Sequence, residues 1–431
     1  MKIEYVSVSG LKPYANNART HSAKQIDRIA RSIRELGFTN PILVSGDLDV
    51  IAGHGRLRAA KKLGLTEVPV IRLPHLSPEQ RRAYIIADNK LCLDAGWDQE
   101  MLAIEFQGLL DSNFDMELTG FTLGEIDVTL DIARHASPET KEEADVIPSL
   151  MERAVSAPGD MWLADRHRVF CGDARHSSVY IELLGETRVD LILTDPPYNV
   201  PINGHVSGSG KHREFAMASG EMSKVEFTTF LAITLGSASA YARDGALAYV
   251  FMDWNHMKEL MQAGELIFDG LKQLCVWDKQ LGGQGAFYRS QHELVFIYKI
   301  GTAPHLNNFG MGETGRYRTN VWSYRGNVGF SKTRAHDLAM HPTVKPLKLV
   351  MDAIEDCTRR GGIVLDCFAG SGTTMIAADR CGRTARLIEC DPLYCDVIIR
   401  RFQAVTGKQV FLSGSGISFD DVARERLRVA A

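Results

Sequence analysis

Apolar positions along this chain recur with two different periods, and the changes of period divide it into parts. Between residues 22 and 37, Ile26, Ile29, Ala30 and Ile33 fall on one face of a helix. Ser22-Ala-Lys-Gln25 supplies a capping box at its start and Gly37 a stop at its end. PILVSGDLDVIAG then predicts strand, turn and strand, and HGRLRAAKKLG a short helix ending at Gly64. Ser77-Pro78 opens a further helix, with serine as cap and proline in the first turn. Residues 91–135 keep helical character and read as a bridge. The stretch HASPETKEEADVIPS, residues 135–149, is charged, holds two prolines and has no period, which is the composition of a linker. From Asp160 onward a hairpin-like MWLADRHRVFCGDA is followed by the apolar runs VDLIL, LAYVF, LCVW, ELVFIY, GIVLD and ARLIE. Unbroken apolar runs of this length suit parallel strands covered on both faces. The expected division is therefore 1–90, a bridge over 91–135, a linker over 136–159, and an α/β domain over 160–415.

Composition narrows the picture less than pattern does. The chain has 431 residues, 45% of them hydrophobic and 24% charged, which is the balance of an ordinary folded protein of more than one domain. A net charge of −4 provides no global field for nucleic acid, so any such contact must come from local patches. The start, MKIEYVSVSG, lacks the apolar segment of a secretion signal, and no apolar stretch reaches membrane-spanning length. The eight cysteines never form a C-x-x-C pair and are read as buried thiols, with no metal site. A cytoplasmic protein with no membrane partner is the expectation.

The chemistry is concentrated at the ends of two apolar runs. VDLIL runs into TDPPYNV, residues 194–200, which puts Asp195, Pro196, Pro197 and Tyr198 at a strand's carboxyl end, where open α/β sheets bind ligands. Two prolines stiffen the turn and leave carbonyls free to accept hydrogen bonds. An acid and an aromatic ring flank them, a combination suited to the exocyclic amine of a planar base. Near the other end of the chain, GIVLD leads through Asp366 into Phe368, Ala369, Gly370, Ser371, Gly372 and Thr373. Gly370 and Gly372 allow close approach of backbone to a ligand. No Gly-Lys-Ser/Thr follows, so this is not a phosphate-binding P-loop, and the third glycine of a dinucleotide fingerprint is missing. About twenty residues on, ARLIE ends at Glu389, placed to bond a ribose diol. An acid after each of two strands points to a ligand with a ribose and no pyrophosphate. S-adenosyl-L-methionine fits, with Asp366 nearer its amino group; the glycine turn by itself also admits another nucleotide-type ligand.

Taken together, residues 160–415 resemble an amino-methylating DNA methyltransferase of the beta arrangement, in which the DPPY segment precedes the F-x-G-x-G segment as it does here. The resemblance implies a Rossmann-like S-adenosylmethionine-dependent fold, with catalysis by Asp195, the Pro196 carbonyl and Tyr198. HPTVKPLKL, residues 341–349, is similar to the family segment ahead of the glycine loop. The family pattern also places Asp173 at the cofactor's adenine and Lys345 near its methionine carboxylate. A target amine inside a duplex must be flipped into the pocket. A ring-carbon mechanism needs a cysteine after a proline, and the sequence has no Pro-Cys pair. Aspartate first, with Asn199 after the tyrosine, favours adenine; cytosine N4 is the alternative. A DNA-binding regulator with a degenerate methylase half, and methylation of RNA or of protein glutamine, are further readings.

The substrate implied is double-stranded DNA. GRYRTNVWSYRGNVGFSKTR, residues 315–334, interleaves Arg316, Arg318, Arg325, Lys332 and Arg334 with Tyr317, Trp322 and Tyr324, as phosphate contact and base stacking require. Target recognition is expected within 301–340. The glycine- and serine-rich residues 201–220 read as a loop over the flipped base, and Trp277, Gly283, Gly285 and Tyr288 resemble the family's base pocket. At the other end, IAGHGRLRAAKKLG resembles a ParB-like N-terminal domain, a smaller α+β fold shared with sulfiredoxin. There Gly53, His54, Gly55 and Arg56 occupy a nucleotide- or anion-binding turn at a helix start. Arg19, Arg56, Arg58, Lys61 and Lys62 form a local basic cluster. Accessory DNA binding, nucleotide sensing and a structural or dimerising role are the readings for this part, with nuclease activity served by His21 and His54 a minor one. The family often forms homodimers, and a bacterial or phage source, with restriction-modification or prophage association, completes the expectation.

Overall fold

In the computed structural model the chain divides into two compact units, Met1–Ser137 and Pro138–Ala431. The structure describes residues 2–94, 96–112, 114–136, 147–200, 217–280, 282, 287–309, 318–325 and 344–428.

In the first unit, β1 (Ile3–Ser7), β2 (Ile42–Val44), β3 (Val50–Ala52) and β4 (Glu67–Arg72) form a four-stranded sheet of order β1-β4-β2-β3. Helix α1 (Ala23–Leu36) starts where its serine predicts, because Ser22 Oγ accepts from the Gln25 amide at 3.1 Å. The Gln25 side chain meets His21 Nδ1 at 3.1 Å. Gly37 ends the helix at a φ of 82°, donating its N–H to the Ile33 carbonyl. Ile26 and Ala30 pack on Ala59 of α2 (His54–Lys62), as the helical periodicity requires. Helices α3 (Pro78–Asp94), α4 (Gln99–Asp111) and α5 (Leu123–Ala136) follow. The last two enclose a small core of their own around Phe106, Met116 and Ile126.

The second unit is a ten-stranded sheet. Its middle is parallel, with neighbours β8 (Ala242–Met252), β7 (Val189–Thr194), β12 (Ile363–Asp366), β13 (Thr384–Glu389) and β6 (His167–Cys171). One edge adds β10 (His292–Lys299), β9 (Gly270–Asp278) and β11 (Val321–Ser323); the other adds β5 (Met161–Ala164) and β14 (Phe411–Leu412). The apolar runs alternate between two cores. Leu191, Leu193, Tyr249 and Phe251 face α9 (Leu347–Cys357), α10 (Thr373–Arg380) and α11 (Pro392–Thr406). Ile192, Ala248 and Val250 face α6 (Ser177–Leu184), α7 (Lys224–Ser239) and α8 (Met257–Ile267). Each large apolar side chain so buried contributes roughly 1.5–3 kcal/mol.

The order of the parallel strands fixes where a ligand can sit. After β7 the chain turns outward through α7 to β8, and after β12 it turns the other way through α10 to β13. The two crossovers part between β7 and β12, which opens a crevice at the carboxyl ends of those strands.

Two boundaries differ from the sequence expectation. The described part of the expected linker is folded: Val155 and Ser156 are buried. The Asp396 carboxylate accepts from the Val155 amide at 2.6 Å, the Ser156 amide at 2.9 Å and the Ser156 hydroxyl at 2.6 Å. At the other end, the unit continues past residue 415, because α12 (Phe419–Arg428) buries Phe419 against Trp162 with ring centroids 5.2 Å apart. Asp396→Ala strands two buried amides, and at about 1–3 kcal/mol for each it is expected to cost about 2–6 kcal/mol. Urea denaturation measures that loss, and limited proteolysis is expected to move to residues 147–159.

Candidate active site

At the crevice the ends of β7 and β12 are joined side chain to side chain. Thr194 donates its hydroxyl to Asp366 Oδ1 at 3.0 Å and accepts the Cys367 amide at 3.2 Å. Thr374, in the first turn of α10, donates to Asp366 Oδ2 at 2.6 Å. Burial pushes the Asp366 carboxyl up to about 6, although bonds from Thr374, the Phe368 amide and Thr194 oppose the shift. The glycine turn follows, with Gly370 at a φ of 52° and Gly372 at 79°. Its Gly370 amide donates to Glu389 Oε2 at 2.8 Å, while the Asp391 amide takes Oε1 at 2.9 Å. Burial raises Glu389 to about 7, again against the pull of those two amides. Beneath the turn the buried Arg401 holds the Ser371 carbonyl and the Thr373 hydroxyl, each at 3.0 Å.

The turn after β7 opens into the same space. One cleft is lined by Asp195, Pro196, Pro197, Tyr198, Lys345, Asp366, Phe368, Ala369, Gly370, Ser371, Thr373 and Glu389. Segments some 170 residues apart in the chain therefore share one cleft, as the sequence reading requires. Gly372 stands just behind it and caps α10. Thr374, Cys390, Asp391 and Tyr394, which the sequence reading did not single out, complete the wall beside Glu389.

The end of the cleft at Asp195 is a buried ionic cluster. Tyr198 donates its hydroxyl to Asp195 Oδ1 at 2.6 Å, and Lys345 Nζ donates to Asp195 Oδ2 at 2.5 Å. Glu293 Oε2 lies 3.0 Å from Lys345 Nζ and accepts from Tyr198 at 3.2 Å. Glu293 Oε1 is held by Lys279 at 2.5 Å. Because β10 runs antiparallel to β8, its first residues reach the edge where the parallel strands end. Burial raises the Asp195 carboxyl, Lys345 counteracts this in part, and the neighbouring Glu293 adds to the rise. Burial acts on Glu293 too, but Lys345 and Lys279 outweigh it and hold that carboxyl down at about 2. The Lys345 ammonium is raised in spite of its burial, since Asp195 and Glu293 both favour its charge.

Several expected residues stand elsewhere. Lys345, expected beside a methionine carboxylate, does line the cleft, where it is bonded to Asp195 and lies over the Phe251 ring at 5.0 Å. Asp173 is not brought into the cleft, and its oxygens serve Arg175 at 2.6 and 2.9 Å. Arg318 was expected on DNA phosphates, but its Nε donates to Asp356 at 2.9 Å, its Nη1 donates to the Tyr324 hydroxyl at 2.7 Å, and its plane covers Trp322 at 5.0 Å. It is a largely buried cation packed against α9. Arg325 is exposed, while Arg316, Lys332 and Arg334 lie outside the described residues, as do 201–216, Gly283 and Gly285. Trp277 is buried and donates its indole N–H to the Tyr324 carbonyl at 2.8 Å; Tyr288 is exposed. Asn199 adopts a φ of 53° and binds the Met222 carbonyl at 2.7 Å, which fixes the chain after the turn. Glu293 and Lys279 were not foreseen; their only sequence signal is two opposite charges bracketing the loop between adjacent strands.

In the N-terminal unit, Gly53 caps α2 in the left-handed region at a φ of 104°, and Gly55 is buried beneath His21 and Ile29. Arg56 donates to the Asn40 carbonyl at 2.9 Å, and its pKa is lowered by burial, with Asp88 opposing. His54 accepts the Tyr14 amide at 3.3 Å and is held below its ordinary value by burial and by His21. In the expected basic cluster, Arg19 donates to the Asn89 carbonyl at 3.0 Å, Arg58 to the His21 carbonyl at 3.2 Å, and Lys62 pairs with Asp27.

Known proteins match the chain in three blocks. Residues 189–400 match the family profile of N6/N4-type DNA methylases, residues 1–89 the ParB N-terminal domain, and residues 100–158 the HTH domain of ParB-methyltransferases. That third block spans much of what the sequence suggested as bridge and linker. The ParB-like nuclease domain-containing protein YnaK of Escherichia coli K12 is 46% identical over 82 residues, which are 19% of this chain and 94% of YnaK. The methylase YubD of the same organism is 29% identical over 199 residues, 45% of this chain and 73% of its own. Among solved structures, the M1.HpyAVI–SAM complex aligns with a TM-score of 0.40 at 21% identity, covering 54% of this chain and 97% of that one.

At Gly372 a methyl group would stand 2.9 Å from Ile398 Cγ2, on a backbone already at positive φ. Gly372→Ala is expected to lower stability by about 2–4 kcal/mol through left-handed strain and overpacking together. Thermal unfolding of the purified chain checks it.

Proposed function

The chain belongs to the N6/N4 family of DNA methylases, with ParB N-terminal and ParB-methyltransferase HTH domains ahead of the catalytic one, and from that premise we propose that it methylates the exocyclic amine of adenine in duplex DNA. The observation that carries this reading is the single cleft on which the Asp195–Tyr198 turn and the Gly370 turn both open. Its residues fit the family's cofactor. Glu389 is a buried acceptor with lone pairs left for a ribose diol, Gly370 brings backbone to the surface of the cleft, and Asp366 and Glu389 together favour a cationic guest. S-adenosyl-L-methionine supplies, when bound, a methyl group on a positively charged sulfur. Glu389 would hold its ribose, and Asp366 would lie toward its amino end.

The remaining work falls to the chain's own residues. An exocyclic amine is a poor nucleophile because its lone pair is delocalised into the ring. Asp195 accepts one N–H and the Pro196 carbonyl the other, which favours a pyramidal nitrogen with a localised pair. As the N–C bond forms, the nitrogen gives up one proton, and Asp195, raised by burial, is its acceptor. Tyr198 stacks on the extruded base; Lys345 lies 5.7 Å from the ring centroid on one side, so the base takes the other. Adenine is favoured over cytosine by the aspartate-first turn with asparagine after the tyrosine. Asn199 itself holds backbone at Met222, so its part in that pattern is to shape the turn. For the N-terminal unit, the Gly53–Arg56 turn at the start of α2 supports an anion site for a nucleotide or for DNA phosphate. The exposed Arg325 is the described candidate for phosphate contact in the second unit.

Two outcomes test this reading. DNA from cells expressing the protein, digested to nucleosides and analysed by mass spectrometry, is expected to contain N6-methyladenine. Asp195→Ala is expected to abolish the mark, and N4-methylcytosine in its place would overturn the choice of base. Cofactor affinity is expected to depend on pH through Glu389. Its ionised form accepts the ribose hydroxyls, so binding strengthens as pH rises and levels off above about 7. Below that point Kd for S-adenosylhomocysteine is expected to weaken roughly tenfold per pH unit. Calorimetric titration from acid to mildly alkaline pH measures this, and Glu389→Gln flattens the profile.

A further inference from the structure

Every donor that occupies the Asp195 carboxylate has the same second acceptor. Tyr198 holds Oδ1 at 2.6 Å and Lys345 holds Oδ2 at 2.5 Å, which leaves an arriving amine with no oxygen free of a strong donor. Glu293 Oε2 lies 3.2 Å from the Tyr198 oxygen and 3.0 Å from Lys345 Nζ. Its other oxygen is kept in place by Lys279 at 2.5 Å, so Oε2 is fixed where both donors can use it. Glu293 does not line the cleft, so it is placed to act on those two donors and not on a ligand.

We propose that Glu293 is a positioning residue, which takes over Lys345 and the Tyr198 hydroxyl when the substrate amine takes their places on Asp195. This rests on the methyl-transfer reading of the site. A buried ammonium that leaves Asp195 must keep an anionic partner, because an unpaired charge in the interior is strongly penalised. Lys345 already spans the two carboxylates, so the exchange needs only a change of balance between bonds it makes at rest. Without Glu293, Lys345 would stay locked on Asp195 and compete with the amine. The charged and titratable groups around Asp195 are Tyr198 on its own turn, Lys345 ahead of α9, Glu293 on β10, Asp366 after β12, and, beyond these, Lys279 after β9 and Asp253 after β8. Removing the Glu293 charge leaves Lys345 wholly to Asp195, and the Asp195 carboxylate then titrates at lower pH.

Glu293→Gln in the full-length chain tests the proposal with S-adenosylmethionine and genomic DNA. Cofactor affinity is expected to stay within about twofold, since Glu293 is off the cleft wall, while kcat falls roughly 10- to 100-fold. The acid limb of the kcat–pH profile moves to lower pH, which a merely structural role would not produce. Wild-type kcat with an unmoved limb overturns the proposal, as does a reduced kcat with an unmoved limb. If Glu293→Gln does not fold, Glu293→Asp decides. Its shorter arm keeps the charge but loses reach to Lys345, so kcat falls with the limb in place, and wild-type kcat is the contrary result. Asp195→Ala is assayed alongside. Activity surviving there defeats the parent reading, whereas an inactive Asp195→Ala with an unaltered Glu293→Gln defeats this inference alone.

Discussion

One hydrogen bond between adjacent strand ends holds the active edge together. Thr194 closes β7, Asp366 closes β12, and the bond between them at 3.0 Å sets the two turns that follow at a fixed separation. Everything chemical in the cleft is placed relative to that pair. The DPPY turn leaves from one strand and the glycine turn from the other, and the outward divergence of the crossovers opens the space between them. Burial raises the Asp366 carboxyl, and the three donors that satisfy it offset part of that rise. It serves as the joint between the two strand ends.

Two acids, Asp366 and Glu389, are thus kept uncomfortable for charge, and the cause is burial in each case. At the Asp195 end the arrangement differs, since two lysines stand among the carboxylates. The cleft is therefore polarised along its length, with acids that favour a cationic guest on one side and a balanced ion cluster on the other. A protein that merely needed stability would fill such a volume with hydrocarbon, because buried ion clusters seldom add to folding free energy.

How much of this could be read from the chain depends on the range of the interaction. The DPPY and glycine turns were legible because each directly follows an apolar strand, so local pattern alone sets them at a carboxyl end. That they meet in space followed from parallel-sheet topology. Lys345 was placed by family pattern at one end of the ligand; its bond to Asp195, 150 residues away, could not be read locally. Arg318 misled for another reason. Alternating basic and aromatic residues look alike whether they face phosphate or interior acids, and the deciding partners, Asp352 and Asp356, stand four residues apart on α9. The segment around Val155 read as linker since its order comes from one carboxylate about 240 residues away, which no local window contains.

The hairpin of β9 and β10 has a consequence for how such a site can change over time. An antiparallel strand delivers its first residue, not its last, to the ligand edge, so one short excursion of chain furnishes both Lys279 and Glu293. The ionic half of the cleft is then encoded apart from the half around Gly370 and Glu389. Drift in that hairpin can retune acidity at Asp195 while leaving the Gly370 turn as it was, and two properties that share one cavity become separately heritable.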